Sequence, residues 1–328
     1  MKFSSVLVGV GLAVAIASGS AAAGDKPTVR LGLLKFGTVN WEADTIKREG
    51  LDTKHGFSLE IVPFASGNAT DVALLSGDVQ ISTGDWLFAS RQRAAGDAIA
   101  FVPYSTSMGA VMAPCGGEIK TLSDLKGKTI GVAGGPVDKS WLMIQGMAQG
   151  DLGFDLKAET DQVFGAPPLL AEKLRQGELD ATLNYWHYNA RLENEGYCQV
   201  VSAQEAAEML GAEHPLSAIG YIFNEEWAND NPAAAAGFVA ASREAKSILA
   251  TSDEAWEALK PRMKAENDAV YKTLVTRWRE GIPSGDVKAE QRDTETVYRY
   301  LAEAGGEKLV GTAREMQPGT FWAGLFTN

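Results

Sequence analysis

Short apolar blocks alternate along this chain with amphipathic runs, and one such unit occurs twice. Residues 29–36 (VRLGLLKF) are apolar enough for a strand buried on both faces, and residues 59–64 form a second strand. A helical run over residues 70–75 then leads through a glycine into SGDVQISTGDW (76–86). A second helical run, 169–175, leads into QGELDATLNYW (176–186). Setting Gly77 on Gly177 aligns Asp78 with Glu178, Val79 with Leu179, Ser82 with Thr182 and Trp86 with Trp186, without a gap. Each copy reads as helix, glycine turn, short apolar strand, then polar and aromatic residues at the strand's end.

Further strands are predicted at 99–104, 110–113, 129–133, 162–164, 181–183, 199–202 and 217–223. Helices are predicted from Glu42 to about Glu49 and from Lys139 to about Gln149. Strands alternating with helices indicate α/β architecture with parallel sheets. From Glu225 onward the pattern is almost wholly helical, broken near Pro232, Pro261 and residues 281–285; these helices are expected to cover the first half of the fold.

The N-terminus changes the picture of where the chain works. Lys2, an apolar run over 6–17 and Ala21-Ala22-Ala23 have the form of a cleaved secretory signal, residues 1–23, too short to span a bilayer comfortably. No Cys stands at the cleavage point for a lipid anchor, so an exported, periplasmic protein with no membrane anchor is expected. Without those residues 29 bases face 42 acids, a formal charge of −13, which argues against nucleic acid or an anionic membrane as partner. Cys115 and Cys198, the only cysteines, can bridge in an oxidising compartment or remain two small buried thiols. His55, His187 and His214 are widely separated, with no spacing that reads as a metal site, and no cofactor motif is present.

In open α/β sheets ligands bind beyond the carboxyl ends of strands, which directs attention to the residues there. The positions that gather at predicted strand ends and helix starts are Trp41, Asp85, Trp86, Asp138, Ser140, Trp141, Asn184, Tyr185, Trp186 and Tyr221. Aromatic faces suit a planar or methylated ligand, and Trp holds cations over its ring. Trp86 and Trp186 form the pair expected from the repeat, one wall from each half; Trp227, Trp256, Trp278 and Trp322 read as packing. Asp85 suits a cationic group or a cap, and Asp138 suits the cap of the helix that starts at Lys139. The amides at that helix start could instead take an anion. No nucleophile–base pairing, P-loop or nucleophile elbow is readable, so no enzyme is expected.

SGDVQIS and QGELDAT resemble the helix–glycine–strand segments of periplasmic solute-binding proteins, and LSDLKGKTIGV (122–132) resembles the segment that opens their second lobe. The turn at residues 134–141 and Tyr221-Ile222-Phe223-Asn224 are similar to the nitrate/sulfonate/taurine branch. The resemblance implies two Rossmann-like lobes joined by two crossing strands, about 24–108 plus 222–328 and about 109–221, closing by hinge motion. It also implies a monomer that delivers its small-molecule ligand to an inner-membrane ABC permease and its ATPase. A nitrogen heterocycle resembling a thiamine precursor, or a methylated amine, is the first expectation for the ligand, and a sulfonate the second. The rival reading is a periplasmic sensor or chaperone on the same fold.

Overall fold

The computed structural model describes residues 26–283 and 285–326; the signal expected at residues 1–23 lies outside them. The chain opens with β1 (Thr28–Leu34), α1 (Val39–Arg48), α2 (Leu51–Lys54), β2 (Ser58–Phe64), α3 (Gly67–Leu75), β3 (Ile81–Gly84), α4 (Trp86–Ala95) and β4 (Ile99–Ser105). It continues with β5 (Ala110–Pro114), β6 (Thr129–Ala133), α5 (Lys139–Asp151), β7 (Asp161–Gly165), α6 (Pro167–Arg175), β8 (Ala181–Asn184), α7 (Trp186–Glu193), β9 (Tyr197–Ser202) and α8 (Ala203–Met209). It ends with β10 (Ile219–Asn224), α9 (Glu225–Asp230), α10 (Pro232–Thr251), α11 (Asp253–Met263), α12 (Asp268–Glu280), α13 (Val287–Gly305) and α14 (Glu307–Val310).

These strands form two five-stranded sheets of one plan, β2-β1-β3-β10-β4 and β7-β6-β8-β5-β9. In each, four strands run parallel, and the fourth place in the order is taken by the one antiparallel strand, entered directly after the chain crosses over. The crossings are residues 106–109 and 210–218, so two α/β lobes share two connections. β10 begins at Ile219, which puts Tyr221 in the first sheet, opposite Thr83 and Val102, rather than at the end of the second lobe.

The repeat has a backbone cause. Gly77 and Gly177 sit at φ 78° and 72°, the left-handed conformation that ends α3 and α6 with little cost only for glycine. The next apolar residues, Val79 and Leu179, are buried and start the run into β3 and β8.

The helical tail does more than cover the first lobe. α10 lies on α1 and α2, as expected, but α12 packs on α7 and α13 on α5, both in the second lobe. One apolar cluster accordingly joins Trp86 and Phe101 of the first lobe to Trp141, Leu142 and Ile144 of the second through Val297, Tyr298 and Leu301 of α13. At Gly146 the Tyr300 ring packs close, and a Cβ there would stand 2.5 Å from it, so the ring would have to shift. Arg277 of α12 adds an ion pair to Glu193 of α7 at 2.9 Å. In the second lobe, Cys115 and Cys198 are joined, tying the end of β5 to β9 where Ala113 and Cys198 are paired across the ladder. Among the described residues no helix is long and apolar enough to cross a membrane.

Candidate functional site

The carboxyl ends of β3 and β6 face each other across the gap between the lobes, and each feeds a helix whose first turn is capped by an aspartate. Asp85 caps α4: its Oδ1 accepts from the Phe88 amide at 2.8 Å. Asp138 caps α5, its Oδ1 accepting from the Ser140 and Trp141 amides at 2.9 and 3.1 Å. Capping consumes amides that would otherwise remain open to an anion at these helix starts. Gly134 gives the Asp138 carboxylate its space, since a Cβ there would lie 2.4 Å from Oδ2.

The two helix starts are linked across the cleft. Lys139, the first residue of α5, donates from Nζ to Asp85 Oδ2 at 2.7 Å. Burial pushes the Asp85 carboxyl up, but the charge and hydrogen bond of Lys139, with the Phe88 amide, outweigh it and hold the group below its ordinary range. Burial likewise pushes Lys139 down, and Asp85 with Asp138 outweighs that, so the ammonium is held above its ordinary value. Both directions describe a pair ionised at neutral pH. For Asp138, burial is the larger influence and its carboxyl lies above the usual range.

Around this link lies a cavity of about 490 Å³ lined from both lobes, including Asp71, Phe88 and Arg91 from the first and Ser140, Tyr185, Trp186 and His187 from the second. Its size and mixture of aromatic and polar walls are those of a small-molecule site. A wider groove of about 1120 Å³ adjoins it, with Trp41 on its wall. The groove's arginines Arg48, Arg175, Arg191 and Arg262 are already paired with Glu49, Glu195, Glu266 and Asp44.

Asp71 is the available acid. It stands on α3 with no side-chain hydrogen bond or ion pair to any described residue, and burial together with the nearby Asp85 charge pushes its carboxyl up to about 6, against the pull of Arg91. His187 is held neutral, pushed down to about 3 by burial and by Arg191. Its ring packs among Tyr185, Trp186 and Tyr188, with centroids 6.4, 5.6 and 4.6 Å away.

Of the residues singled out from sequence, Asp85, Asp138, Ser140, Tyr185 and Trp186 line the cavity, with Tyr185 41 % exposed. Four others do not. Trp86 is 0 % exposed: its Nε1 donates to the Ser217 carbonyl at 3.1 Å and its ring meets Tyr298 of the tail. Trp141 is buried in the core that α13 completes. Tyr221 is buried in the first lobe, its hydroxyl donating to Glu42 at 2.8 Å, where Ser242 and Lys246 also bond to the same carboxylate. Asn184 is a buried loop brace, donating to the Pro167 carbonyl and accepting from the Tyr185 amide. Trp41 packs edge-on between Trp186 and Trp256 at 6.0 and 5.8 Å and borders the wider groove.

Sequence reasoning missed Asp71, Phe88, Arg91 and His187. A helical signal for part of this was present: Asp85, Phe88 and Arg91 are spaced by three, so they rise along one face of α4.

The fold matches solved binding proteins of low sequence identity. The periplasmic aliphatic sulphonate binding protein SsuA of Escherichia coli has a TM-score of 0.69 at 17 % identity, covering 90 % of this chain and 93 % of that one. The alkanesulfonate-binding protein SsuA of Xanthomonas axonopodis pv. citri, bound to MOPS, has a TM-score of 0.67 at 16 % identity, covering 91 % and 99 %. The ligand binding component of an ABC-type import system from Staphylococcus aureus, with zinc bound, has a TM-score of 0.62 at 14 % identity, covering 84 % and 92 %. No curated protein matches the chain. The periplasmic binding protein fold is therefore shared with proteins bound to MOPS and to zinc, while the family model described as NMT1/THI5 like matches residues 46–255, and the chain belongs to that family.

Proposed function

We propose that this chain is the periplasmic solute-binding subunit of an ABC importer, capturing a small organic ligand between its lobes and passing it to a permease and ATPase. The observation that carries the reading is the two-lobe cavity, walled by Phe88, Tyr185 and Trp186, in which the Asp71 carboxyl has no partner among the described residues. An acid without a partner beside aromatic faces favours a protonated or methylated nitrogen, so a nitrogen heterocycle or methylated amine ranks first. A sulfonate ranks second: Arg91 could meet it, but the amides of Phe88, Ser140 and Trp141 and the ammonium of Lys139 are already engaged by Asp85 and Asp138.

The mechanism is hinge closure with no bond made or broken. Asp85 and Lys139 come from different lobes, so their contact exists only when the lobes are together and stabilises the closed form directly. Turnover is not required of any residue in the cavity.

A thermal-shift screen of the mature chain against heterocycles, methylated amines, sulfonates, carboxylates and metal ions tests the reading. A ligand at about 100 times its Kd adds roughly 2.7 kcal/mol of stability. A heterocycle or amine hit supports the proposal. A sulfonate or metal hit alone replaces the ligand class, and turnover of any hit contradicts the binding role.

A further inference from the structure

The cavity's charges do not cancel in the way its ion pair suggests. Five ionisable side chains of acids and bases line it: Asp71, Asp85, Arg91, Asp138 and Lys139. Asp85 and Lys139 satisfy each other, and Asp138 is spent on the first turn of α5. Asp71 and Arg91 remain. They stand on neighbouring helices of the same lobe and influence each other through space, yet they make no ion pair.

Arg91 is engaged away from Asp71. Its Nη1 donates to the Leu309 carbonyl of α14 at 3.3 Å, and its guanidinium lies over the Phe88 ring, 5.6 Å from the centroid. Gly311, at φ 60°, leaves room for the arginine's stem, since a Cβ there would come within 3.1 Å of Arg91 Cγ. The guanidinium thus retains N–H donors that no carboxylate among the described residues uses. Each of these half-buried charges loses part of its hydration without a counter-charge among the described residues, and a ligand that brings both counter-charges offsets that loss.

We propose that the ligand is zwitterionic, its cationic nitrogen set on Asp71, its anionic group on Arg91, and its ring or methyl surface on the aromatic wall between them. This deepens the proposed function and rests on the same interlobe cavity. A ligand with both charges neutralises both side chains at once. A plain cation leaves Arg91 unanswered, and a plain anion leaves Asp71 unanswered.

The test is calorimetric titration of the mature chain with three probes of one shape: trigonelline (a methylated pyridinium carrying a carboxylate), N-methylpyridinium and benzoate. Trigonelline is expected to bind at least about tenfold more tightly than either single-charge probe, the scale of one hydrogen bond to a charged group. Asp71→Asn should weaken trigonelline by a similar factor without weakening benzoate. Arg91→Gln should weaken trigonelline without weakening N-methylpyridinium, and Arg91→Lys should restore part of the loss. Both side chains are only partly buried, and circular dichroism on each variant confirms that it folds. If N-methylpyridinium matches trigonelline and Arg91→Gln changes neither, the cation-binding reading stands and the zwitterion falls. If none of the three binds, both fall.

Discussion

Trp86 and Trp186 end the two copies of one sequence unit and begin equivalent helices, α4 and α7, yet their side chains meet opposite fates. Trp86 is sealed against Tyr298 and the Ser217 carbonyl, whereas Trp186 lines the cavity and leans on Trp41. The local sequence dictates the backbone of both tips: a left-handed glycine, an apolar strand, a helix start. It does not dictate what covers them. That is decided by α13, which returns from far along the chain to lie across Trp86, and by the second crossing, which brings Ser217 to its indole nitrogen. Equivalent position in a repeat therefore predicts geometry, and burial depends on elements outside the repeat.

The sharpest way to break this comparison is truncation. Trp86→Ala removes a fully buried indole and should cost about 3–5 kcal/mol of stability. Trp186→Ala should cost much less in chemical denaturation while reducing ligand affinity. Equal stability losses would mean that the two tips are alike after all. The lobes also differ in covalent support, because only the second carries the Cys115–Cys198 bridge. Unreduced protein should show no titratable thiol, and reduction should cost roughly 2–4 kcal/mol, read as a lowered midpoint in urea. Two thiols on unreduced protein would remove the bridge.

Between the lobes, Lys139→Met leaves Asp85 in the cleft without its cation. It should favour the open form by on the order of 1–3 kcal/mol, seen as a larger radius of gyration in small-angle scattering. Asp85→Asn added to it should return part of that loss, and an unchanged radius in both would show that the ion pair does not hold the lobes together. The smallest effect expected is with pH. The Asp71 carboxyl, facing Asp85 and Arg91, titrates at about 6 and binds a cation only when ionised. A bound cation lowers that value, so affinity for a permanently charged amine should rise as pH passes upward through about 6 and level off above it. A flat profile from pH 5 to 8, or one unchanged by Asp71→Asn, would separate Asp71 from the ligand.

Much of the fold was legible because its signals are local. The alternation of strands and helices and the two glycine turns were readable from short stretches. Asp138 as a helix cap was readable for the same reason. The site was only half legible. Asp85 has both of its expected polar surroundings, a helix cap and a cationic partner, but the cation is Lys139 from the other lobe. Trp86, Trp141 and Tyr221 looked available because the tail that buries the first two, and the α1–α10 network that claims Tyr221, are long-range contacts with no local period. Asp71 and Arg91 were overlooked because single charges on amphipathic helices resemble solvent-facing ones until the opposite wall is in place.

The most direct test of the account is the intrinsic fluorescence change on binding a hit from the screen, measured in Trp186→Phe and Trp86→Phe. The account predicts that the ligand-induced change is lost in Trp186→Phe and kept in Trp86→Phe. Loss in Trp86→Phe with retention in Trp186→Phe would contradict it, and would place the ligand away from the interlobe cavity.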